Sequence, residues 1–121
     1  MPIDRLSKRA LQKLLSGQVS ESATCIIKFY SNNCHLCHDL SGPYKDLAEK
    51  EEYSDFHFFA FNISDYPQAE KILGFEGVPT ITLVKTGVSK PKIRVLKDPE
   101  EPHKKMWYHL NDIENFLKKE K

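Results

Sequence analysis

The chain has 121 residues, 40% hydrophobic and 29% charged, with 18 Lys+Arg against 17 Asp+Glu for a net charge of +1. That is one domain's worth of chain, with enough apolar residues for one core and too many for a disordered segment. The balanced charge argues against a dedicated nucleic-acid binder, and no apolar run reaches the roughly 18 residues a membrane-spanning helix needs.

From the N-terminus, residues 4–16 read as a helix. Leu6, Ala10, Leu11, Leu14 and Leu15 recur at three- and four-residue spacing, with Asp4 as candidate cap and Gly17 as stop. Thr24–Tyr30 is β-branched, aromatic and almost continuously apolar, the pattern of a strand buried on both faces. A second helix over about 35–52 carries Leu36, Leu40, Tyr44, Leu47 and Ala48 on one face, and Pro43 inside it should bend it. Residues 56–62 form another buried strand, whose Phe56, Phe58, Phe59 and Phe61 are core before they are a binding platform. A short helix follows from Tyr66-Pro67 to Leu73, stopped by Gly74. Thr80–Lys85 and Lys92–Leu96 are two strands joined by a turn, and the pair should be antiparallel. Lys85, Lys90, Lys92, Arg94 and Lys97 make this region locally basic: a solvated hairpin, or a docking surface for an acidic partner. An irregular loop, 98–105, leads past Trp107-Tyr108, a packing anchor or a substrate-facing surface. The closing helix is 112–119, with Asn111 and Glu114 in a capping-box pattern. Strand–helix–strand at the front demands a parallel pair. The sum is an α/β fold: a central mixed sheet of about four strands flanked by helices, with an extra N-terminal helix.

The chemistry concentrates at Cys34-His35-Leu36-Cys37, which falls where the first long strand meets the second helix. Three cysteines are too few for a disulfide scaffold, so a Cys-x-x-Cys reads as redox or metal chemistry. At a helix N-terminus, free N–H groups and the dipole favour the Cys34 thiolate, the form that attacks disulfides. Cys37, one turn on, is placed to resolve the mixed disulfide. His35, when protonated, would add to thiolate stabilisation. The metal alternative uses Cys34, His35, Cys37 and His38 with His103 and His109, whose mutual spacing is acceptable for zinc but which lie far along the chain from Cys37 and flank an irregular loop. Cys25, inside the strand, reads as a small core residue.

Phe29-Tyr30, the cysteine pair, Leu40, Tyr44, Leu47 and Ala48, Asn62-Ile63-x-x-x-Pro67, and Gly74-Phe75-x-Gly77-Val78-Pro79-Thr80 together resemble the thioredoxin-like superfamily, thioredoxin and the catalytic domains of protein disulfide isomerases in particular. The resemblance runs from Thr24 to about Lys85 and implies a single thioredoxin-like domain over 1–121, with 1–20 as a helical extension and 24–119 as core. It implies thiol–disulfide oxidoreductase activity, with Cys34 as nucleophile, Cys37 as resolving cysteine and a redox-active centre. It also implies a cis peptide before Pro79, with Val78 and Pro79 holding an extended substrate segment. No cofactor or metal is required. The expected partners are disulfide-containing protein or small-molecule substrates and an external reductase or oxidant, with neither nucleic acid nor membrane. The expected state is a monomer. Without a signal-peptide pattern at Met1–Arg5, the expected location is cytoplasmic, unless a leader has been removed.

The chain departs from the family at several points. Asn33 stands where thioredoxin carries Trp, His35-Leu36 where it carries Gly-Pro, and Gly42-Pro43 displaces the helix proline by one residue. Lys28 occupies the position of the family's buried acid, and Ala60 that of the lysine accompanying it. Lys28 either lies beneath the cysteines and tunes their pKa, or carries its amine out to solvent. Loss of the acid leaves open a binding or adaptor module on the same fold.

Overall fold

A computed structural model describes residues 3–88 and 90–121. The elements in chain order are β1 (Ile3–Arg5), α1 (Lys8–Leu15), β2 (Thr24–Tyr30), α2 (His35–Glu49), β3 (Phe56–Asn62), α3 (Ala69–Leu73), β4 (Thr80–Lys85), β5 (Lys92–Val95) and α4 (Leu110–Lys118). Short 3-10 turns occupy 51–53 and 63–65. The sheet order is β1-β3-β2-β4-β5. β2 and β3 pair in parallel across the α2 crossover, Ile26 opposite Phe58 and Phe29 opposite Phe61. β4 runs antiparallel to both β2 and β5. This is the mixed α/β sheet expected, with a fifth strand added.

The fifth strand is β1. Ile3-Asp4-Arg5 has no apolar alternation, so its sequence reads as the start of a helix. It becomes a strand by pairing in parallel with β3, Ile3 opposite Phe58 and Arg5 opposite Ala60, and the Leu6 N–H continues to the Ala60 carbonyl at 2.9 Å. The helix therefore begins later, and Ser7 rather than Asp4 caps it, its Oγ accepting from the Ala10 N–H at 3.1 Å.

Alternation along β2 and β3 divides the core in two. Ile26 and Phe58 face α2 and α4, where they meet Leu40, Tyr44, Leu47, Ile113, Phe116 and Leu117. Cys25, Ile27, Phe29 and Phe61 face α1 and α3, against Leu11, Leu14 and Ala69. Each fully buried Leu, Ile or Phe among them contributes about 1.5–3 kcal/mol by leaving water. The phenylalanine run is core, with Phe58 and Phe61 buried and Phe56 and Phe59 packed against the two clusters.

Pro43 lies within α2 without ending it. The bond it cannot make would have gone to the Asp39 carbonyl, on an exposed residue that solvent can serve. The closing helix starts at Leu110 with His109 as cap, so Asn111 lies inside it. Glu114 does not reach back to the helix end. It accepts instead from Tyr53 Oη at 3.0 Å and Lys50 Nζ at 3.2 Å, tying α4 to the end of α2. Tyr108 is fully buried, and its Oη accepts from the Ile81 N–H at 3.3 Å, which makes it a packing anchor.

Candidate active site

β2 ends at Tyr30, and residues 31–33 turn the chain into α2. Cys34 is the N-cap of α2 in extended conformation, and its Sγ accepts from the Cys37 N–H at 3.0 Å. A sulfur thus takes the position where Ser, Thr or Asp would satisfy the helix's free donors. Cys34 and Cys37 are joined by a disulfide, with their Cα atoms 5.2 Å apart. Cys37 is buried, Cys34 half-buried. His35 is the first residue of α2 and is exposed.

The Val78–Pro79 peptide bond is cis, which proline tolerates far better than any other residue. The turn sets the Val78 carbonyl oxygen 3.7 Å from Cys34 Sγ. It is braced from both sides: the Glu70 carboxylate accepts from the Gly77 N–H at 2.6 Å, and Thr80 Oγ1 donates to the Gly77 carbonyl at 2.8 Å.

Lys28 lies on the β2 face that α2 covers, and only 5% of the residue is exposed. Its amine does not run out to bulk solvent. Nζ donates to Ser41 Oγ at 3.0 Å and stands 5.3 Å from the ring centre of Tyr44 and 5.9 Å from that of Tyr30. Ser41 Oγ in turn donates to the Cys37 carbonyl at 3.1 Å, linking the lysine to the cysteine's own backbone. Burial disfavours the charged amine and lowers its pKa from 10.5 to about 8. Tyr44 holds the floor of this region by donating from Oη to the Phe59 carbonyl at 2.7 Å.

A cavity of about 420 Å³ opens beside the disulfide, walled by Cys34, Cys37, Lys28, Ser41, Tyr44 and Ala60 among others. Ala60, opposite Lys28 across the β2–β3 pair, has a small side chain that leaves room beside it. Ser41 was not singled out in the sequence, although its place one helical turn after Cys37 was a usable signal. Cys25 is a free, buried thiol whose pKa burial raises, on the opposite face of β2. The His103 and His109 rings lie 5.5 Å apart, but among the described residues no three His, Cys, Asp or Glu side chains converge to hold a metal ion.

The family model for thioredoxin matches residues 6–106. The chain belongs to the thioredoxin family. This thioredoxin-family chain is similar in structure to Trichomonas vaginalis thioredoxin, with a TM-score of 0.68 and 18% identity over 99% of this chain and 98% of that one. It is similar to Malassezia sympodialis thioredoxin (Mala s 13), at 0.68 and 12% over 98% and 93%. A chain in the complex of ferredoxin:thioredoxin reductase and thioredoxin f2 matches at 0.69 and 18% over 98% and 94%. The J-Trx1 fragment of ERdj5 matches at 0.65 and 18%; the alignment covers 98% of this chain and 50% of that fragment. At these identities the likeness is one of fold. Among curated proteins no sequence matches. The family and the cysteine pair at disulfide distance support thiol–disulfide oxidoreductase activity in general. Among the described residues no helix is long and apolar enough to cross a membrane.

Proposed function

We propose that the chain exchanges disulfides with protein or small-molecule substrates, Cys34 acting as nucleophile and Cys37 as resolving cysteine. The observation that carries this is the position of Cys34: it caps α2, takes the Cys37 N–H on its sulfur and faces the Val78 carbonyl. In the reduced protein the same donor and the helix N-terminus favour the thiolate. That thiolate attacks one sulfur of a substrate disulfide, the S–S bond breaks, and the other sulfur leaves as a thiolate that takes up a proton. Cys37 then loses its proton and attacks the Cys34 sulfur. The mixed disulfide breaks, the Cys34–Cys37 bond forms, and two electrons have passed to the substrate.

The backbone at Val78 and the shape imposed by Pro79 offer an edge on which an extended substrate segment pairs. Lys28, while protonated, stabilises the reduced thiolate form and makes the couple more oxidising, by ~30 mV for each 1.4 kcal/mol. His35, exposed on the first turn of α2, adds positive charge when protonated. Turnover requires an external electron source or sink. Similarity to a chain in the complex of ferredoxin:thioredoxin reductase and thioredoxin f2 supports a reductase in that place.

The test is the reduction potential of the pair, measured by equilibration against glutathione and dithiothreitol ratios with thiols counted by alkylation and mass. A reversible two-electron couple is the expected result, and Lys28→Gln should make it more reducing. A protein with no reversible couple would not be an exchange enzyme. Lys28 in place of the family's acid favours a second reading, a binding module with little turnover. Cys34→Ser separates the two: loss of reductant-sensitive partner complexes supports exchange, whereas unchanged complexes support the module.

A further inference from the structure

The cavity beside the cysteines has an uneven charge lining. Lys28, His38 and Lys45 contribute to its wall, and no Asp or Glu does. Lys28 is the buried one, with 5% of the residue exposed. Among the described residues its ammonium donates to one neutral oxygen, Ser41 Oγ, and has no carboxylate within ion-pair distance. An ammonium has three donors, so two are left for the aromatic faces and the cavity. A buried charge without a counter-charge is costly, and an anion entering the cavity would relieve that cost. At about 420 Å³ the cavity has the size of a small-molecule site, with Tyr44 and Ala60 as its less polar side. Cys34 and Cys37 line the same space, so a ligand seated there meets both the cation and the sulfurs.

We infer that this cavity binds a small carboxylate, and that the chain acts preferentially on low-molecular-weight disulfides carrying a carboxylate a few bonds from sulfur. The inference rests on the thiol–disulfide reading above and names a substrate class for it. The carboxylate accepts from Lys28 Nζ while the substrate disulfide lies against Cys34. The reaction is the two-step exchange already written, the reduced pair giving two electrons and the substrate leaving as two thiols. A dithiol reductant returns the pair to its reduced form.

The experiment has two arms. The fully reduced chain is mixed with 3,3′-dithiodipropionate, with bis(2-hydroxyethyl) disulfide as its uncharged counterpart, and with cystamine as its cationic one. Second-order rate constants are read from oxidation of the Cys34–Cys37 pair. One charge-assisted hydrogen bond is worth about tenfold, so the dicarboxylate should react about tenfold faster than the neutral disulfide. These rates are normalised to those with free dithiothreitol, which removes the intrinsic reactivity of each disulfide. Lys28→Met should bring the normalised ratio to near one. A change in thiolate reactivity alone would move all three substrates together and leave the ratio where it was. In the second arm the oxidised wild-type chain is titrated with 3,3′-thiodipropionate, a thioether that cannot be reduced, and followed by NMR. Shifts should cluster at Lys28, Ser41 and His38. No charge preference in the wild type, a preference that survives Lys28→Met, or a titration without shifts at Lys28 would each overturn the inference. Absence of any exchange with all three disulfides would instead sink the redox reading, while the titration would still decide whether the cavity binds a carboxylate.

Discussion

Replacing Lys28 with methionine should make the protein more stable. Only 5% of the Lys28 residue is exposed, and burial lowers the amine's pKa from 10.5 to about 8. Holding it charged at pH 7 therefore costs about 3 kcal/mol. Methionine fills nearly the same volume with no charge. It gives up the bond to Ser41 and the contacts over the Tyr44 and Tyr30 rings, which offset about 1 kcal/mol. The net gain is about 2 kcal/mol, which raises the Tm of a chain this size by about 8 °C. The pH dependence has a definite sign. Between pH 8 and 10.5 the unfolded chain keeps the Lys28 proton and the native one does not, so this residue's contribution to stability rises with pH. The advantage of Lys28→Met is thus full at pH 7 and falls by about 2 kcal/mol by pH 9.5. Urea unfolding of both oxidised proteins at the two pH values measures it, and taking the difference cancels the other lysines and tyrosines. A variant no more stable than the parent at pH 7, or a gap that stays constant with pH, would refute desolvation of Lys28 as the cause.

Thr82 is fully buried in β4, and its Oγ1 has no hydrogen-bond partner among the described residues. Thr82→Val should therefore stabilise by about 1 kcal/mol in denaturant titrations, since valine keeps the shape and removes the unpaired hydroxyl. Glu120, whose side chain is 4% exposed, meets Arg94 at 2.6 Å, Lys85 at 3.1 Å and Lys92 at 3.4 Å. Burial alone would raise its pKa, but the bonds from Lys85 and Arg94 and the charges of Lys92 and Lys85 hold it below the ordinary value. Its contribution is present above the unfolded carboxylate's range and is lost as pH falls through the depressed folded value. Glu120→Gln should cost about 1–2 kcal/mol at pH 7, discounted for the exposed partners, and nothing once the pH lies below both pKa values. Gly87 has φ 93°, and a Cβ there would fall 2.7 Å from the Ser22 Cα. Gly87→Ala should cost about 2–4 kcal/mol by thermal unfolding, the sum of backbone strain and overlap.

Much of the fold follows from local pattern. Cys25-Ile26-Ile27 and the phenylalanines of 56–61 are apolar on both faces, and only a sheet covered on both sides accommodates them. The cysteine pair was legible for a related reason: the strand before it and the amphipathic helix after it locate the N-terminus that binds Cys34. β1 was not legible, because Ile3-Asp4-Arg5 has no pattern of its own and becomes a strand only through its register with Phe58–Ala60. Glu114 was misassigned because a capping box and a tertiary ion pair call for the same residue, and Lys50 with Tyr53 outcompete the helix end. The position of Lys28 was readable and its depth was not. That depth depends on Ser41, 13 residues away, and on the space Ala60 leaves across the strand pair.

The two margins of the sheet are short and charged. β1 spans three residues, with Asp4 and Arg5 exposed, and β5 spans four, including Lys92 and Arg94. Unpaired strand edges are templates on which other chains add, and brief edges bearing charge resist such growth. The long apolar strands β2, β3 and β4, with the greatest tendency to associate between molecules, are all interior. What the sheet offers a neighbouring molecule is thus two short, charged borders, while its long apolar strands stay covered on both sides.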